Sequence, residues 1–326
     1  MTNPRTGLAS PPSGSIVSRL LAGLFDDAAL FPPGDAPMDA ALAAYRSRPA
    51  ALRTMVGRFV VPAARLGELV ETLGRAGPRE SPDPVALVVT TTVSELPAVV
   101  TQLRPPALTH LSPPGATRVE VVGVDVAGVD VAGVGAGARA ESTSLRDALA
   151  LLAAAGLPAG VAASIEVRCD AAQGRPLDEL AAAGRQLKLR TGGPRADLFP
   201  GGGELARAVV ECAARNLRFR CTAGLHHAVR HTDAATGFEH HGFLNILVAA
   251  RAAVTGAGSV AVADLLGCRD GAVLVDEIGA WSAADAERAR ALFTSFGTCS
   301  IAEPVGDLVA LGLLRSDGAN SANSAG

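Results

Sequence analysis

The stretch Q-L-K-L-R, residues 186–190, alternates polar and apolar side chains, which is typical of a β-strand with one face packed against apolar neighbours. It leads through T-G-G-P at 191–194, a loop, into G-E-L-A-R-A-V-V-E-C-A-A-R-N at 203–216, where apolar residues recur at helical spacing. The next apolar run, R-F-R-C-T at 218–222, predicts another strand. A strand, a helix and a strand in this order predict a unit of a parallel sheet.

The same rhythm extends along the chain in both directions. Strand candidates lie at 58–62, 85–91, 118–122, 163–168 and 293–297, and A-V-L-V-D at 272–276 is a weaker candidate that is equally compatible with a helix. With 326 residues, the chain has the length of an α/β barrel, which needs about 250. We therefore predict an α/β fold, a (β/α)8-type (TIM) barrel of seven or eight recognisable strands, with an open doubly wound sheet as the alternative.

Composition divides the chain into four parts. Residues 1–13 and 315–326 are rich in small and polar residues and predict disordered tails. Residues 14–57 predict two helices packed on the barrel and joined by an irregular loop, and 58–314 form the barrel itself, with a helical insertion late in its sequence. The glycine-rich repeat at 123–138 predicts an insertion or extended loop after the third strand.

Charge and cysteine content limit the classes of partner. The net charge is −3 and no basic block is interleaved with aromatics, which argues against nucleic-acid binding. The five cysteines are odd in number and widely spaced, which predicts reduced thiols. No apolar run reaches the roughly 20 residues of a membrane span, and the first residues lack the order of a signal peptide. We expect a cytoplasmic protein with a small-molecule substrate, no cofactor and no bound metal; a homo-oligomer stays open.

Lys188 is the main candidate for chemistry. Of the 29 basic Lys and Arg residues, it is the only lysine. A lysine amine, unlike a guanidinium, can lose its proton and attack a carbonyl. Lys188 and Arg190 face the same side of their strand, just before Thr191, Gly192 and Gly193, and catalytic groups of α/β barrels lie at such strand ends. The structural alternative is an ion pair, for example with Glu166.

Two carboxylates on earlier strand candidates are possible proton shuttles. Glu120 lies in R-V-E-V-V and Glu166 in S-I-E-V-R, both flanked by apolar residues. If they face the barrel centre, Lys188 and Arg190 supply the compensating charge that a buried carboxylate needs. The alternative is a carboxylate that faces outward and pairs with a helix arginine.

A histidine-rich segment follows the strand at 218–222. Its spacing matches no metal signature such as HExxH, so three readings stay open: a substrate-binding loop with Arg230, a metal site beside Glu239 or Asp233, or a solvated loop. The histidines concerned are His226, His227, His231, His240 and His241.

Three motifs in order resemble the deoxyribose-phosphate aldolase group of class I aldolases. K-L-R-T-G-G at 188–193, R-C-T-A-G-L at 220–225 and F-G-T-C-S at 296–300 are similar to the family's K-T-S-T-G, K-A-S-G-G-I and F-G-A-S-S. The resemblance implies that Lys188 forms a Schiff base, that Arg220 stands where a second lysine lowers its pKa, and that Glu120 is the acidic residue of an earlier strand. It also implies that Gly224 and the segment from Gly297 to Ser300 bind a substrate phosphate.

The chain also resembles a bacterial β/α-barrel family, without an established activity, that shares D-x-A-x-L-F-P-P, K-x-R-T-G-G and T-A-G-L-H-H. Together these observations predict a Schiff-base-forming lyase acting on a small, possibly phosphorylated, carbonyl metabolite, with Lys188, Glu120, Glu166 and Arg220 as catalytic residues. The predicted substrate-binding residues are Arg190, Thr191, Gly192, Gly193, Thr222, Gly224, His226, His227, Gly297 and Ser300. The alternatives are a metal-dependent hydrolase or isomerase built on His226, His227 and His240 or His241, and a non-catalytic metabolite-binding barrel.

Overall fold

The structure, a computed structural model, describes residues 8–75, 85–103, 119–127 and 144–316. Within these ranges, eight parallel strands close into a barrel, which confirms the predicted (β/α)8 fold. Each strand pairs with the next along the chain, and the eighth pairs with both the seventh and the first. The strands are β1 Phe25–Asp27, β2 Val56–Pro62, β3 Val85–Thr92, β4 Val119–Ala127, β5 Ala162–Arg168, β6 Gln186–Arg190, β7 Phe219–Thr222 and β8 Phe293–Thr298.

Helices connect the strands and pack on the outside of the barrel. Those that the structure describes are α1 Ile16–Leu21, α2 Met38–Ser47, α3 Ala50–Arg53, α4 Leu66–Arg75, α5 Leu96–Gln102, α6 Leu145–Ala155, α7 Arg175–Ala182, α8 Gly202–Ala214, α9 Phe243–Val254, α10 Ser259–Gly267, α11 Gly271–Gly279, α12 Ala283–Leu292 and α13 Ala302–Ala310. Helices α9 to α12 all lie between β7 and β8, where the sequence predicts a helical insertion.

Local sequence explains where these helices begin and end, as α6 illustrates. The side chain of Ser144 accepts a hydrogen bond from the backbone N–H of Asp147, which caps the first turn. Leu145 and Leu152 share one face and are buried against the barrel. The helix stops at Gly156, which adopts the left-handed conformation with φ of 62°.

Side chains alternate along the barrel strands. Ile165, Val167, Leu187 and Leu189 are fully buried among the outer apolar residues. The residues between them on β5 and β6 are polar or charged, and they face the barrel interior. This places an apolar layer between sheet and helices and leaves the interior free for charged groups.

The first strand is where sequence and structure differ most. Phe25–Asp27 is a barrel strand, so the segment 14–57 is part of the barrel and not only a helical extension. The weaker eighth strand candidate at 272–276 is instead part of α11, in which Leu274 and Ile278 are buried one turn apart.

Two further expectations need correction. Strand β4 continues to Ala127, so the start of the glycine-rich repeat pairs with β3 and β5 instead of leaving the barrel as a loop; residues 128–138 lie outside the described residues. Leu8–Ala9 pairs antiparallel with Arg315–Ser316, so these parts of the expected tails are ordered by backbone hydrogen bonds between the two ends. Residues 1–7 and 317–326 lie outside the described residues.

Candidate active site

Seven charged side chains form one alternating chain of cations and carboxylates inside the barrel. Each member makes an ion pair with the next, and the order is Arg58, Asp26, Arg220, Asp125, Lys188, Glu166 and Arg190. The chain crosses the interior, because Arg220 on β7 contacts Asp26 on β1 and Asp125 on β4, neither of which neighbours β7. Barrel interiors are usually filled by branched apolar residues, so this one is specialised.

Lys188 lies at the middle of β6 and is 4% exposed. Its Nζ is 3.2 Å from Asp125 Oδ2 and 3.1 Å from Glu166 Oε2. Glu166 is its direct neighbour on β5, so the ion pair that the sequence offers as a structural alternative is present. The amine is therefore held between two carboxylates that can each exchange a proton with it.

Asp125 is the contact that links Lys188 to the rest of the chain of charges. Its Oδ1 accepts hydrogen bonds from Ser164 Oγ and, at 3.0 Å, from Arg220 Nη1. Its Oδ2 is buried and receives no directed hydrogen bond, although Lys188 Nζ is close. Burial raises the pKa of Asp125, but the charges of Arg220 and Lys188 outweigh it and hold that pKa below its ordinary value.

The other two carboxylates are also kept ionised. For Glu166, the desolvation that raises the pKa is outweighed by Lys188 and Arg190, so the pKa is lowered. For Asp26, desolvation is outweighed by Arg58 and Arg220, with the same result. Arg58 binds both oxygens of Asp26 at 2.8 Å, which fixes the end of the chain of charges away from Lys188.

Arg190, the last residue of β6, ends the chain of charges at the carboxyl end of the strands. Its Nη2 contacts Glu166 Oε1, and its Nη1 donates to the carbonyl of Gly192 at 3.2 Å. Its Nε is buried without a hydrogen-bond partner. Arg190 also lines a small surface cleft together with Arg168, Cys169, Asp170, Asp197, Leu198, Pro200 and Glu204.

The glycines of the T-G-G loop after β6 allow the backbone to pack closely against neighbouring residues. A Cβ at Gly192 would lie 2.7 Å from the Cα of Gly224, and one at Gly193 would lie 2.4 Å from a methyl carbon of Leu198. Thr191 is fully buried, and its hydroxyl donates to the carbonyl of Ala223 at 2.7 Å. These predicted substrate-binding residues hold the ends of β6 and β7 together.

Gly297, by contrast, leaves room at the mouth. A Cβ there would meet nothing closer than Ala28 at 3.9 Å and Thr222 Oγ1 at 4.0 Å. Ser300 lies in the turn after β8, where its carbonyl accepts from Thr298 Oγ1 at 3.0 Å. Thr222 and Gly297 therefore lie close to each other at the carboxyl ends of β7 and β8.

His226 and His227 lie beyond β7 and face helix α13. The Nδ1 of His226 is 2.9 Å from Glu303, and that of His227 is 3.1 Å from Asp307. His226 also lies 3.8 Å from the sulfur of Cys299, just after β8. Both histidines are therefore at the rim of the barrel mouth.

The remaining histidines pack into the same rim. The rings of His231 and His240 are 5.1 Å apart, and that of His240 is 4.5 Å from Phe199. Burial lowers the pKa of His241 to about 4. Within the described ranges, no group of three or more His, Cys, Asp or Glu side chains has the geometry to hold a metal ion.

The acidic residue that joins Lys188 is not the one that the sequence suggests. Glu120, the second residue of β4, is exposed, so of the two orientations that the sequence leaves open it has the outward one and does not join the chain of charges. Because β4 continues past Val122, its carboxyl end carries Asp125 instead. Asp125, Asp26 and Arg58 are the members of the chain of charges that sequence reasoning missed, and Asp125 had a signal in the alternation of G-V-D-V-A.

Fold and site together define an eight-stranded parallel β/α barrel with a buried network of charged residues around one lysine. A scan against protein-family models finds no match for this chain. A search of curated proteins finds no significant relative either. Among the described residues, no helix has both the length and the apolar character needed to cross a membrane.

Proposed function

We propose that the protein is a lyase of the class I aldolase type, in which Lys188 forms a Schiff base with a small carbonyl substrate. The observation that carries this proposal is that the chain's only lysine lies inside the barrel with two carboxylates within 3.2 Å of its Nζ. Buried ionic networks are costly and cluster at functional sites, so a network in place of an apolar barrel interior favours catalysis over packing.

The first step converts an amine and a carbonyl into an iminium ion and water. Lys188 gives one proton to a carboxylate, and its Nζ lone pair attacks the carbonyl carbon. The carbonyl oxygen then takes up two protons in all and leaves as water, while the nitrogen keeps one hydrogen and the positive charge. The net charge of the interior is unchanged by this step, so the carboxylates that stabilise the ammonium also stabilise the iminium.

The second step breaks a carbon–carbon bond. A base removes the proton from the hydroxyl on the β-carbon, the bond between the α- and β-carbons breaks, and its electron pair moves into the enamine. An aldehyde leaves. Protonation of the enamine carbon then gives a second iminium ion, and water hydrolyses this ion and frees Lys188.

Asp125 is the best candidate for the acid and base. Its Oδ2 lies beside Lys188 Nζ and accepts no directed hydrogen bond, whereas both oxygens of Glu166 are engaged by Lys188 and Arg190. Arg220 donates a hydrogen bond of 3.0 Å to Oδ1 of Asp125, which leaves Oδ2 beside the amine of Lys188. We assign Glu166 the role of orienting Lys188 and Arg190.

This assignment modifies the family resemblance at one position. The acidic residue of the earlier strand is Asp125 in place of Glu120, and Arg220 stands where the family has its second lysine. An arginine supplies the charge but cannot relay protons. Proton transfer then rests on the carboxylates alone.

The test is borohydride reduction of the purified protein with a panel of small aldehydes, ketones and sugar phosphates, followed by peptide mass spectrometry. Because Lys188 is the only lysine, a reduced imine is expected to block trypsin there and to yield the peptide Gln186–Arg190 uncut, with the added mass. Lys188→Arg, which keeps the charge between Asp125 and Glu166, is the matched control and should give no adduct.

The outcomes separate the proposal from its rivals. An adduct on Lys188 that depends on the carbonyl supports imine chemistry. If no carbonyl in the panel labels Lys188, the lyase proposal is wrong. A ligand that binds without adduct or turnover would then favour a metabolite-binding barrel.

A further inference from the structure

The chain of charges in the barrel interior contains one more cation than carboxylate. The alternating chain begins and ends with an arginine, so it contains four cations, Arg58, Arg220, Lys188 and Arg190, and three carboxylates, Asp26, Asp125 and Glu166. With Lys188 protonated, or present as the iminium, one positive charge of this chain has no carboxylate of its own. Asp27, a further buried carboxylate on β1, is not a member of the chain. A buried surplus charge is unfavourable unless an opposite charge joins it.

Arg190 is the end of the chain of charges that lies at the mouth. At the other end, Arg58 binds both oxygens of Asp26, a carboxylate that also accepts a hydrogen bond from Arg220. Arg190 shares Glu166 with Lys188, and its Nε is buried without a hydrogen-bond partner. A ligand carboxylate could accept this hydrogen bond and supply the missing charge.

Lys188 and Arg190 are held a short distance apart. One oxygen of Glu166 contacts Lys188 Nζ and the other contacts Arg190 Nη2, so a single carboxylate group spans the two cations. They are also two residues apart on one strand, with side chains on the same face. A substrate that reaches both must carry its anionic group next to its carbonyl carbon.

The surplus of one positive charge in the chain of charges favours a ligand with one negative charge over a ligand with two. A carboxylate brings one negative charge, whereas a phosphate monoester brings about 1.5 to 2 at neutral pH. The cleft beside Arg190 also contains three carboxylates, Asp170, Asp197 and Glu204, against one further cation, Arg168, and this excess of negative charge disfavours a dianion more than a monoanion.

From these observations, and resting on the proposed function, we propose that the substrate is a small 2-oxo acid. Its carboxylate binds Arg190, and its ketone carbon, directly attached to that carboxylate, is attacked by Lys188. Arg190 is then a substrate-binding residue that selects a monoanion over a neutral carbonyl or a sugar phosphate.

The experiment compares three carbonyl probes in the borohydride assay: pyruvate as the 2-oxo acid, acetaldehyde as a neutral carbonyl and glyceraldehyde 3-phosphate as a dianion. For each, the concentration that gives half-maximal labelling of Lys188 is measured in the wild type, in Arg190→Gln and in Arg190→Lys. Arg195→Gln is the matched control, because Arg195 is an exposed residue of the neighbouring loop whose partner is Asp197.

We expect pyruvate to label the wild type at the lowest concentration of the three. Arg190→Gln should raise the half-maximal pyruvate concentration about tenfold or more, since a charge-assisted hydrogen bond is lost, and should leave acetaldehyde labelling within about twofold. Arg190→Lys, which keeps the charge, should raise the half-maximal pyruvate concentration by a smaller factor. This variant still tests the role of Arg190 if Arg190→Gln fails to fold. Arg195→Gln should change neither probe.

Two results would overturn the 2-oxo acid while leaving the lyase in place. One is labelling by acetaldehyde or by glyceraldehyde 3-phosphate at a lower concentration than by pyruvate. The other is an equal shift for pyruvate and acetaldehyde in the Arg190 variants, which would make Arg190 a structural residue. Absence of labelling by every probe would instead remove the lyase proposal, and this inference with it.

Discussion

Removing Asp125 should destabilise the protein more than removing Lys188. Asp125→Asn keeps the size of the side chain but leaves Arg220 and Lys188 without their shared carboxylate, and the surplus inside the barrel grows from one positive charge to two. Breaking a buried ion pair in this way costs about 3 to 5 kcal/mol. Lys188→Met removes the surplus, since Asp125 keeps Arg220 and Glu166 keeps Arg190, so we expect a loss of about 1 to 3 kcal/mol.

The assay is urea unfolding followed by circular dichroism at pH 7, which gives the change in unfolding free energy for each variant. Arg146→Met is the control, because Arg146 pairs with Glu179 on the exposed surface, and its loss should be below about 1 kcal/mol. If Lys188→Met lowered the free energy of unfolding as much as Asp125→Asn or more, the claim that the chain of charges carries one surplus positive charge would be wrong.

Three further predictions concern the residues around the site. Burial holds the pKa of His241 at about 4 in the folded protein, against 6.5 in the unfolded chain, so between these pH values only the unfolded chain binds the extra proton and the free energy of unfolding should fall by at most about 3 kcal/mol as the pH drops from 6.5 to 4. His241→Gln should flatten that part of the pH profile of the thermal midpoint, and a profile equal to that of the wild type would contradict this role of His241. Gly192→Ala would place a Cβ 2.7 Å from the Cα of Gly224 and should lower the unfolding free energy by about 1 to 3 kcal/mol, whereas an unchanged thermal midpoint would show that the loop can relax. Iodoacetamide should label the half-buried Cys268 and Cys299 in the native protein, and labelling of the buried thiols before unfolding would contradict the packing, because burial raises their pKa. The buried thiols are Cys169, Cys212 and Cys221.

The barrel was predictable because most of its strands are apolar runs separated by segments with the apolar spacing of helices. Seven of the strands coincide with apolar runs of the sequence, and Lys188 lies at the strand position predicted for it. The exception is β1, which is only three residues long, so F-D-D carries too little periodicity to be distinguished from a loop. Its pairing with β8 and β2 is a consequence of barrel closure, which no local pattern encodes.

The candidate site was only partly predictable for a related reason. Lys188, Glu166 and Arg190 follow from alternation on regular strands, whereas Arg220 was predicted from the resemblance of R-C-T-A-G-L to the aldolase motif. Asp125 was not predicted, because the pairing of β4 shifts register after Val121 and the repeat is rich in glycine, and both features resemble the end of a strand. The long-range contacts of Arg220 with strands β1 and β4 depend on the closed barrel and could not be read from spacing.

The central claim is that Lys188 activates a carbonyl substrate through an enamine, and hydrogen exchange tests it most directly. In deuterated water, enamine formation and reprotonation replace the methyl hydrogens of pyruvate by deuterium, which proton NMR follows without any need to know the second product. The wild type is expected to catalyse this exchange, and Lys188→Arg to abolish it while keeping the fold. Exchange at the wild-type rate in Lys188→Arg, or no exchange by the wild type with pyruvate, acetaldehyde or any other enolisable carbonyl, would contradict the claim.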